Sequence, residues 1–327
     1  MSKSYHYISF TDFVYVRLDG IIWTSSGLSQ PGNLNKAAVE QVNIIYGTVE
    51  LEKLLVVDCK GVITITDHSL DELFKSIAKV NREITFVSCQ QIEEKLSNAK
   101  KEFCNELNTN DGDSQLTIYK RKQKQEFTSE SSNEVKSKII KNIKEFVSKS
   151  FQKFPDGKFK RLSSTPILAS GEYDASSLIS NPASFYWISL SLLDKVEEII
   201  ERDRVGKKSQ AKLLSVSLRA APFASAISLL GGFQLECIDH LGPINPYSKL
   251  MDQQYISSDY IYIGDFVFGG TEIKVAKNYL NFKSSLLGHA VTIGSLFSDD
   301  TFKDFQLSSL VSLNSLNVDA KYKMFED

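Results

Sequence analysis

The stretch YIYIGDFVFGGTEI, residues 260–273, decides the fold of the C-terminal half of this chain. Aromatic and β-branched residues alternate up to a single acid, Asp265, and two glycines and a threonine then lead into a helical pattern. Such a run is typical of a buried strand, and glycines at its end are typical of a tight turn into a helix. The stretch therefore predicts a strand, a turn and a helix in succession.

The turn in this stretch has the residue types of a phosphate-binding turn. In an open parallel sheet, ligands lie at the carboxyl ends of the strands, where loops lead into helix N-termini. Gly269 and Gly270 let the backbone approach an anion, Thr271 adds a hydroxyl, and Asp265 can accept hydrogen bonds from ribose hydroxyls. A helix-entry turn with no ligand requires glycine for the same steric reason. On this motif alone both interpretations stay open.

Strands and helices alternate on both sides of the turn. Apolar periodicity predicts helices at 183–203, 221–232 and 271–282 and strands at 212–217, 233–239 and 289–297. In the N-terminal half, strands at 53–59, 61–66 and 82–89 surround a helix at 69–80. In the C-terminal half this alternation implies a parallel sheet that is covered on both faces. The predicted fold class is α/β, with two α/β domains.

Length and composition predict how these domains divide the chain. The 327 residues, of which 42% are hydrophobic, are enough for two domains with a core each. We expect an α/β domain at 1–107, a charged polar linker at 108–132 and a second domain at 133–327. The linker is predicted because NTNDGDSQ and the charged run after it contain few large apolar residues. Residues 135–151 then have the periodicity of an amphipathic helix.

The formal net charge of −2 gives no support for nucleic acid or membrane as a partner. Between residues 120 and 161, however, thirteen Lys or Arg face five Asp or Glu. These lysines form either a solvated helix face or a contact with a phosphate-rich ligand or a nucleic acid. Nucleic acid is therefore not expected, but stays open through this basic segment.

Cysteine and histidine usage argues against a disulfide framework and a structural zinc site. The four cysteines are scattered with no C-x-x-C spacing, and only four histidines accompany them. A reducing cytoplasm is the simplest location. The N-terminus lacks the long apolar core of a signal peptide, and no stretch approaches the roughly 18 apolar residues of a membrane span.

The segment GDFVFGGT, residues 264–271, resembles the phosphate loop of type I phosphoribosyltransferases, most closely in the orotate branch. In that family a strand ends in D-D-x-x-T-A-G-T, whose acids approach the ribose of phosphoribosyl pyrophosphate and whose last residues wrap its 5′-phosphate. Asp265 matches the second acid. The resemblance implies that the phosphate is bound by Phe268, Gly269, Gly270 and Thr271.

Three further segments match the family in the required order, so that the resemblance covers residues 163–298. ILASGEYDASSL is similar to the entry segment of orotate enzymes, where Ser170 and Gly171 match the end of K-S-G. LLSVSLRAAPF is similar to the strand and pyrophosphate loop, and HAVTIGSLF to the strand after the phosphate loop. The resemblance implies a parallel-sheet phosphoribosyltransferase-like fold, magnesium bound with phosphoribosyl pyrophosphate, and a homodimer. The implied pyrophosphate loop is Ser217, Leu218, Arg219 and Ala220.

Several positions depart from the family pattern and lower the expected transfer activity. The replacements remove an acid, a loop threonine, a lysine, base-stacking aromatics and a basic loop; they are Gly264, Phe268, Ala169, Ser177 with Leu178, and Asp239 with His240. Each lost preorganised contact removes roughly 3 kcal/mol of transition-state stabilisation. Arg219 is the best remaining cation for a pyrophosphate, although an exposed loop arginine is often only solvated.

Residues 1–105 resemble STAS domains of the anti-sigma-factor antagonist kind. In that family a strand with D-x-S-x-V, a second strand and D-S-[ST]-G lead into a helix, and residues 57–73 follow this order. His68 occupies the phosphorylated position, with Ser69 next to it. The resemblance implies docking of a protein partner rather than a phosphorylation switch. An ordinary β-α-β domain without this ancestry is the alternative.

Three functions follow from these patterns. The first is a phosphoribosyltransferase-like protein that binds a ribose phosphate or nucleotide, has lost efficient transfer and acts as a sensor or regulatory module. The second is an active orotate-like transferase or nucleotide-cleaving enzyme with an altered substrate, in which Asp265 is the catalytic carboxylate. The third is a structural or assembly protein in which Phe266 and Phe268 fill the phosphate space.

Overall fold

The chain divides into two units, Met1–Lys138 and Ile139–Asp327. The computed structural model describes residues 7–18, 23–24, 27–28, 33–34, 44–45, 53–62, 64–79, 84–98, 104–110, 113–119, 127–162, 165, 167–203, 211–238, 259–282, 286–297 and 305–324. Each unit contains a sheet with helices, so the predicted α/β class is confirmed.

The N-terminal unit is built on a six-stranded mixed sheet with the order β1-β2-β6-β8-β10-β9. Strands β2, β6 and β8 are parallel, and the strands on either side of them are antiparallel. The strands are β1 Tyr7–Ser9, β2 Phe13–Arg17, β6 Leu54–Asp58, β8 Ile84–Val87, β9 Cys104–Asn110 and β10 Asp113–Tyr119. Two small pairs accompany them, formed by β3 Trp23–Thr24 with β4 Gly27–Leu28 and by β5 Asn33–Leu34 with β7 Thr64–Ile65.

Two helices of this unit, α1 Asp67–Lys79 and α2 Glu93–Asn98, contribute to one hydrophobic core with the sheet. At the start of α1, His68 is exposed and lies 3.5 Å from Glu72, while Ser69 is buried. The hydroxyl of Thr66 donates to that of Ser69 at 2.8 Å. At the position compared with the phosphorylated residue of STAS domains, His68 is therefore exposed but has no hydroxyl, and Ser69 has a hydroxyl but is buried.

The segment expected to be a linker, 108–132, is not one throughout, and this expectation is corrected. Strand β10 pairs with β8 and β9 and is an integral part of the sheet. The polar composition concealed a period-two pattern in which Leu116 and Ile118 are paired with Phe86 and Ile84. The division between the compact units lies further on, after Lys138.

Helix α3, Ser129–Ser150, spans the division between the two units. The predicted apolar face is present, because Val135, Ile143 and Val147 are at most 4% exposed. Lysines of the basic segment, such as Lys141, lie on its exposed face. Nowhere in the described parts of the chain is there a helix long and apolar enough to cross a membrane.

The C-terminal unit is built on a five-stranded sheet with the order β16-β15-β17-β18-β19, in which every neighbouring pair is parallel. The strands are β15 Lys212–Ser215, β16 Gln234–Cys237, β17 Asp259–Val267, β18 Leu286–Ser295 and β19 Gln306–Ser312. The helices are α4 Ala175–Ser180, α5 Pro182–Asp203, α6 Ala221–Gly231 and α7 Thr271–Phe282. In chain order the strands are arranged 2-1-3-4-5, the flavodoxin-like order of doubly wound folds.

The two faces of this sheet contribute to separate cores, which agrees with the alternation in the sequence. Ile261 and Ile263 of β17 pack in one core with residues of α5 and α6. Tyr260 and Tyr262 pack in the other core with residues of α7. A strand buried on both faces has the continuous apolar pattern that the sequence displays.

Two small antiparallel sheets complete the unit. They are formed by β11 Phe151–Lys153 with β14 Gly171–Tyr173, and by β12 Lys160–Arg161, β13 Ile167–Ala169 and β20 Tyr322–Met324. A 3₁₀ helix at Pro155–Gly157 lies between β11 and β12, and another follows β19 at Leu313–Ser315. Gly171 is required here, because a Cβ atom would lie 2.4 Å from the carbonyl oxygen of Gln152.

Two neighbouring positions on α6 test the core. Ile227 is completely buried, whereas Leu229 is 43% exposed on the same helix. We expect Ile227→Ala to lower the free energy of unfolding by about 2–5 kcal/mol, and Leu229→Ala to change it by about 0.5 kcal/mol or less. Urea unfolding of both variants measures this difference, and equal losses would contradict the assigned core.

Candidate functional site

The candidate site lies where the order of the parallel sheet reverses. Strand β15 has β16 on one side and β17 on the other, so the connections after β15 and β17 diverge from this point. Ligands of open α/β sheets bind in the crevice at such a switch point, outside the carboxyl ends of the strands. The predicted pyrophosphate loop follows β15, and the predicted phosphate loop follows β17.

The turn after β17 presents backbone donors at the start of a helix. Gly270 has a φ of +68°, which favours glycine, and it precedes α7 directly. The first helical bond runs from the amide of Lys274 to the carbonyl of Gly270, at 3.0 Å. The amides of Thr271, Glu272 and Ile273 precede this bond, and such amides have no acceptor within their own helix. They can donate to an anion, which the helix dipole also favours.

A small pocket opens at this turn. It is lined by the turn itself and by one residue from the β12–β13 connection; the lining residues are Thr165, Tyr262, Phe266, Val267, Phe268, Gly269, Gly270, Thr271, Glu272 and Ile273. About 50 Å³ is open to the centres of water-sized molecules. One buried water needs roughly 10–15 Å³ of such space. The pocket is therefore several times larger than a water site and has room for a group such as one phosphate. The rest of a nucleotide would lie outside it.

Asp265 is buried near the end of β17, with 7% of its surface exposed. Burial raises the pKa of its carboxyl, while hydrogen bonds from the Phe266 amide and its own amide, and the charge of Arg219, act in the opposite direction. The structure thus places the predicted acid beside the predicted phosphate turn. Its amide bonds hold the carboxylate against the backbone.

Tyr262 occupies the space where the family pattern has its first acid. The side chain is 1% exposed, and its ring carbon Cε1 lies 2.6 Å from the position that a Cβ atom on Gly264 would take. The ring of Tyr262 therefore leaves no room for a side chain at position 264. Burial raises the pKa of the Tyr262 hydroxyl well above its usual value, and the charges of Glu272 and Asp265 add to this effect.

Glu272 is the site residue that the sequence analysis missed. It lies in the first turn of α7, lines the pocket, and accepts a hydrogen bond from the Tyr262 hydroxyl at 3.2 Å. Burial, followed by the charge of Asp265, raises the pKa of its carboxyl to about 7, although the Tyr262 bond and Arg219 lower it. The available signal was an acid directly after a glycine-threonine turn.

Phe266 and Phe268 belong to an aromatic cluster beside the pocket. The ring of Tyr173 lies 5.1 Å from that of Phe266 and 6.3 Å from that of Phe268. Tyr322 of β20 lies 5.9 Å from Phe268. Phe268, predicted to bind phosphate, lines the pocket and is also packed into this cluster.

The predicted pyrophosphate loop is a tight turn that bonds to itself. The amide of Arg219 donates to the hydroxyl of Ser217 at 3.2 Å, and the amides of Ala220 and Ala221 donate to the Ser217 carbonyl at 3.1 and 3.0 Å. These three amides are therefore engaged within the loop. Leu218 is 74% exposed and Ala220 is buried. The charge of Arg219 is close enough to lower the pKa values of Asp265 and Glu272.

Other positions of the resemblance have structural roles. Ser170 joins β13 to the segment before β20, because its hydroxyl accepts from the Lys321 amide at 2.9 Å. Ala169 is completely buried, Leu178 is a core residue, and the hydroxyl of Ser177 donates to the carbonyl of Asp174 at 2.7 Å. Asp239 and His240 lie outside the described residues.

Magnesium has no dedicated site in the described part of the chain. No three His, Cys, Asp or Glu side chains there are grouped to hold a metal ion. Magnesium usually keeps several waters and is bound largely through substrate phosphates. The ion implied by the resemblance would therefore enter with its phosphorylated ligand, and we assign no protein ligand to it.

The close contact at Gly264 gives a testable prediction. Gly264→Ala should destabilise the protein by about 1–3 kcal/mol, because the new methyl group overlaps the ring of Tyr262. Gly288→Ala on β18 is the matched control, since nothing lies within 4 Å of its Cβ position. Urea unfolding measures both. If the Gly264 variant is as stable as the Gly288 variant, Tyr262 does not occupy this space.

Comparisons with known proteins concern the fold. The sequence matches no protein-family model, and it matches no curated protein. Orotate phosphoribosyltransferase from Aeropyrum pernix is 18% identical, over 54% of this chain and 95% of the transferase, with a TM-score of 0.40. UMP synthase from Leishmania donovani is 15% identical, over 86% of this chain and 54% of the synthase, with a TM-score of 0.40. Adenine phosphoribosyltransferase from Leishmania donovani is 16% identical, over 53% of this chain and 81% of the transferase, with a TM-score of 0.38. Identities this low transfer no activity to this chain.

Proposed function

We propose that the C-terminal unit binds a phosphorylated ribose or a nucleotide at the turn after β17, without efficient transfer, and that the protein is a sensor or regulatory module. The observation that carries the proposal is the Gly270 turn: a left-handed glycine opens α7 at the switch point of a parallel sheet and borders a phosphate-sized pocket. Asp265, buried near the end of the same strand, is the proposed acceptor for ribose hydroxyls.

The balance of charge argues against fast transfer. Negative charge develops on pyrophosphate as it leaves, and an enzyme must stabilise this charge with cations or free amides. The amides of Arg219 and Ala220 in the predicted pyrophosphate loop, and that of Ala221 after it, already bond to Ser217. The pocket contains the carboxyl of Glu272 in place of a cation. The phosphate turn needs only backbone donors. Binding can therefore persist where transfer does not.

The remaining parts of the proposal concern partners and location. The N-terminal unit is the proposed docking site for a protein partner, in keeping with its STAS-like sequence. A homodimer and a cytoplasmic location belong to the same proposal. Magnesium would accompany phosphoribosyl pyrophosphate as the ligand.

Two glycines with the same backbone conformation provide the test of ligand binding. Gly270 has a φ of +68° and Gly232 a φ of +70°, but Gly232 ends α6, about 16 Å from the start of that helix. We expect Gly270→Asp to weaken binding of ribose 5-phosphate at least tenfold, because it places a fixed negative charge at the phosphate turn. Titration calorimetry measures the affinity.

The control and the ligand series define the outcome. Gly232→Asp carries a similar backbone strain and should bind like the wild type. Phosphoribosyl pyrophosphate, nucleoside monophosphates and pyrophosphate are titrated with and without magnesium. Absence of heat from all of them, or an equal loss in both glycine variants, rejects the proposed site.

An active transferase is the second candidate, and one observation favours it. Arg219, from the predicted pyrophosphate loop, lies close enough to Asp265 to lower its pKa, so a cation and an acid share the switch point. This candidate requires release of pyrophosphate from phosphoribosyl pyrophosphate with some base. We expect that any such release would be abolished by Asp265→Asn and unaffected by Asp12→Asn, an exposed acid of the other unit. A coupled pyrophosphate assay over a panel of bases decides between transfer and binding alone.

A further inference from the structure

A carboxyl group lies inside the pocket that is proposed to hold a phosphate. Glu272 borders the same space as the backbone of Gly270 and Thr271. An ionised carboxylate and a phosphate would repel each other there, because like charges in a partly buried pocket are only weakly screened. The pocket therefore contains an electrostatic conflict that ligand binding must resolve.

Glu272 is held in this position by a buried partner. The hydroxyl of Tyr262 donates to its Oε2 at 3.2 Å, and Tyr262 is 1% exposed. Turning the carboxyl away would leave this buried hydroxyl without its acceptor, which is unfavourable. The ring of Tyr262 is in turn fixed over Gly264. Protonation of the Glu272 carboxyl where it lies is therefore less costly than moving it out of the pocket.

We propose that Glu272 determines the charge state in which the pocket accepts its ligand: a phosphate binds together with a proton on the Glu272 carboxyl. This inference rests on the proposed ligand site and adds proton uptake to it. A protonated carboxyl removes the repulsion and can donate a hydrogen bond to a phosphate oxygen, whereas the ionised form only accepts.

The groups around Glu272 set the pKa of its carboxyl in the neutral pH range. Strand β17 brings Tyr262 and Asp265 to it, and the loop after β15 brings Arg219. Thr165, on the β12–β13 side of the pocket, carries no charge. Burial and Asp265 outweigh Tyr262 and Arg219, and the pKa of Glu272 is about 7. Below this value the carboxyl is already neutral; above it, binding must draw a proton from solution.

The pH dependence of the ligand affinity has a defined direction. Because only the neutral carboxyl is compatible with the ligand, the affinity for an anion of constant charge, such as sulfate, should be nearly constant at lower pH and should fall as pH rises through about 7. At about pH 8 the fall is roughly tenfold, and it approaches tenfold per further pH unit. A phosphate monoester is itself almost fully dianionic at about pH 8, since its second pKa is about 6. Protons taken up at that pH therefore come from the buffer to the protein.

Calorimetry in two buffers with different protonation enthalpies measures this uptake directly. Ribose 5-phosphate is titrated into the full chain without magnesium at about pH 6 and about pH 8. Sulfate, whose charge is constant over this range, is the second probe. We expect close to one proton taken up per bound ligand at the higher pH for both probes, and little uptake at the lower pH for sulfate.

Two variants separate the proton from other effects of the side chain. Glu272→Gln is neutral at every pH and keeps a donor, so it should show no uptake and bind about tenfold more tightly than the wild type at about pH 8. Tyr262→Phe removes a bond that lowers the pKa of Glu272, so the fall in affinity should move to higher pH. A merely structural role predicts no such shift. Glu130→Gln, an exposed acid in the first turn of α3, is the matched control.

The outcomes distinguish this inference from the proposed function. If ribose 5-phosphate binds without proton uptake at about pH 8, or if Glu272→Gln keeps the pH dependence of the wild type, the role of Glu272 is wrong while the ligand site stands. If neither ribose 5-phosphate nor sulfate binds the wild type at either pH, the site and the inference fail together. Uptake that is lost in Glu272→Gln and retained in Glu130→Gln supports the inference.

Discussion

The burial of β17 on both faces is the constraint on which the site depends. The strand has parallel neighbours on either side, and its residues enter two separate cores. A strand without a solvent face can tolerate polar groups only near its ends or with a partner for each. Asp265 satisfies the first condition near the carboxyl end, and the hydroxyl of Tyr262 satisfies the second through Glu272. The acidic character of the pocket thus follows from the packing of one strand.

The same packing excludes a side chain at position 264. An acid at position 264 and the ring of Tyr262 in its present place exclude each other, because the ring lies 2.6 Å from the Cβ position. Once the tyrosine fills that space, its hydroxyl requires an acceptor, and Glu272 provides one from the helix. The carboxyl of Glu272 thus lies in the first turn of the helix and lines the pocket. In the proposed function it would oppose a bound anion there.

The sequence predicted the parts of this site that depend on local pattern. Alternation in residues 260–267 predicted a buried strand, and the glycine pair predicted a turn into α7, because both signals lie within a few consecutive residues. The role of Glu272 was missed because it depends on Tyr262, ten positions earlier on another element. The two bonds to the Ser217 carbonyl that engage the loop after β15 are backbone bonds and have no signature in residue type. Strand β10 was missed for a different reason, since its polar residues outnumber Leu116 and Ile118.

Backbone donors and side-chain charges respond differently to substitution, and this difference favours a binding role over a catalytic one. The amides at the start of α7 are retained whatever the side chains are, provided that Gly270 keeps its left-handed conformation. Phe268 replaces a hydroxyl of the family pattern, but its ring packs against Tyr173 and Tyr322 and ties the turn to two other strands. A turn held in this way loses little entropy when an anion binds. Transfer chemistry gains nothing from this rigidity unless cations stabilise the leaving group. These features agree with the proposed role, a site that holds a phosphate and responds to its charge.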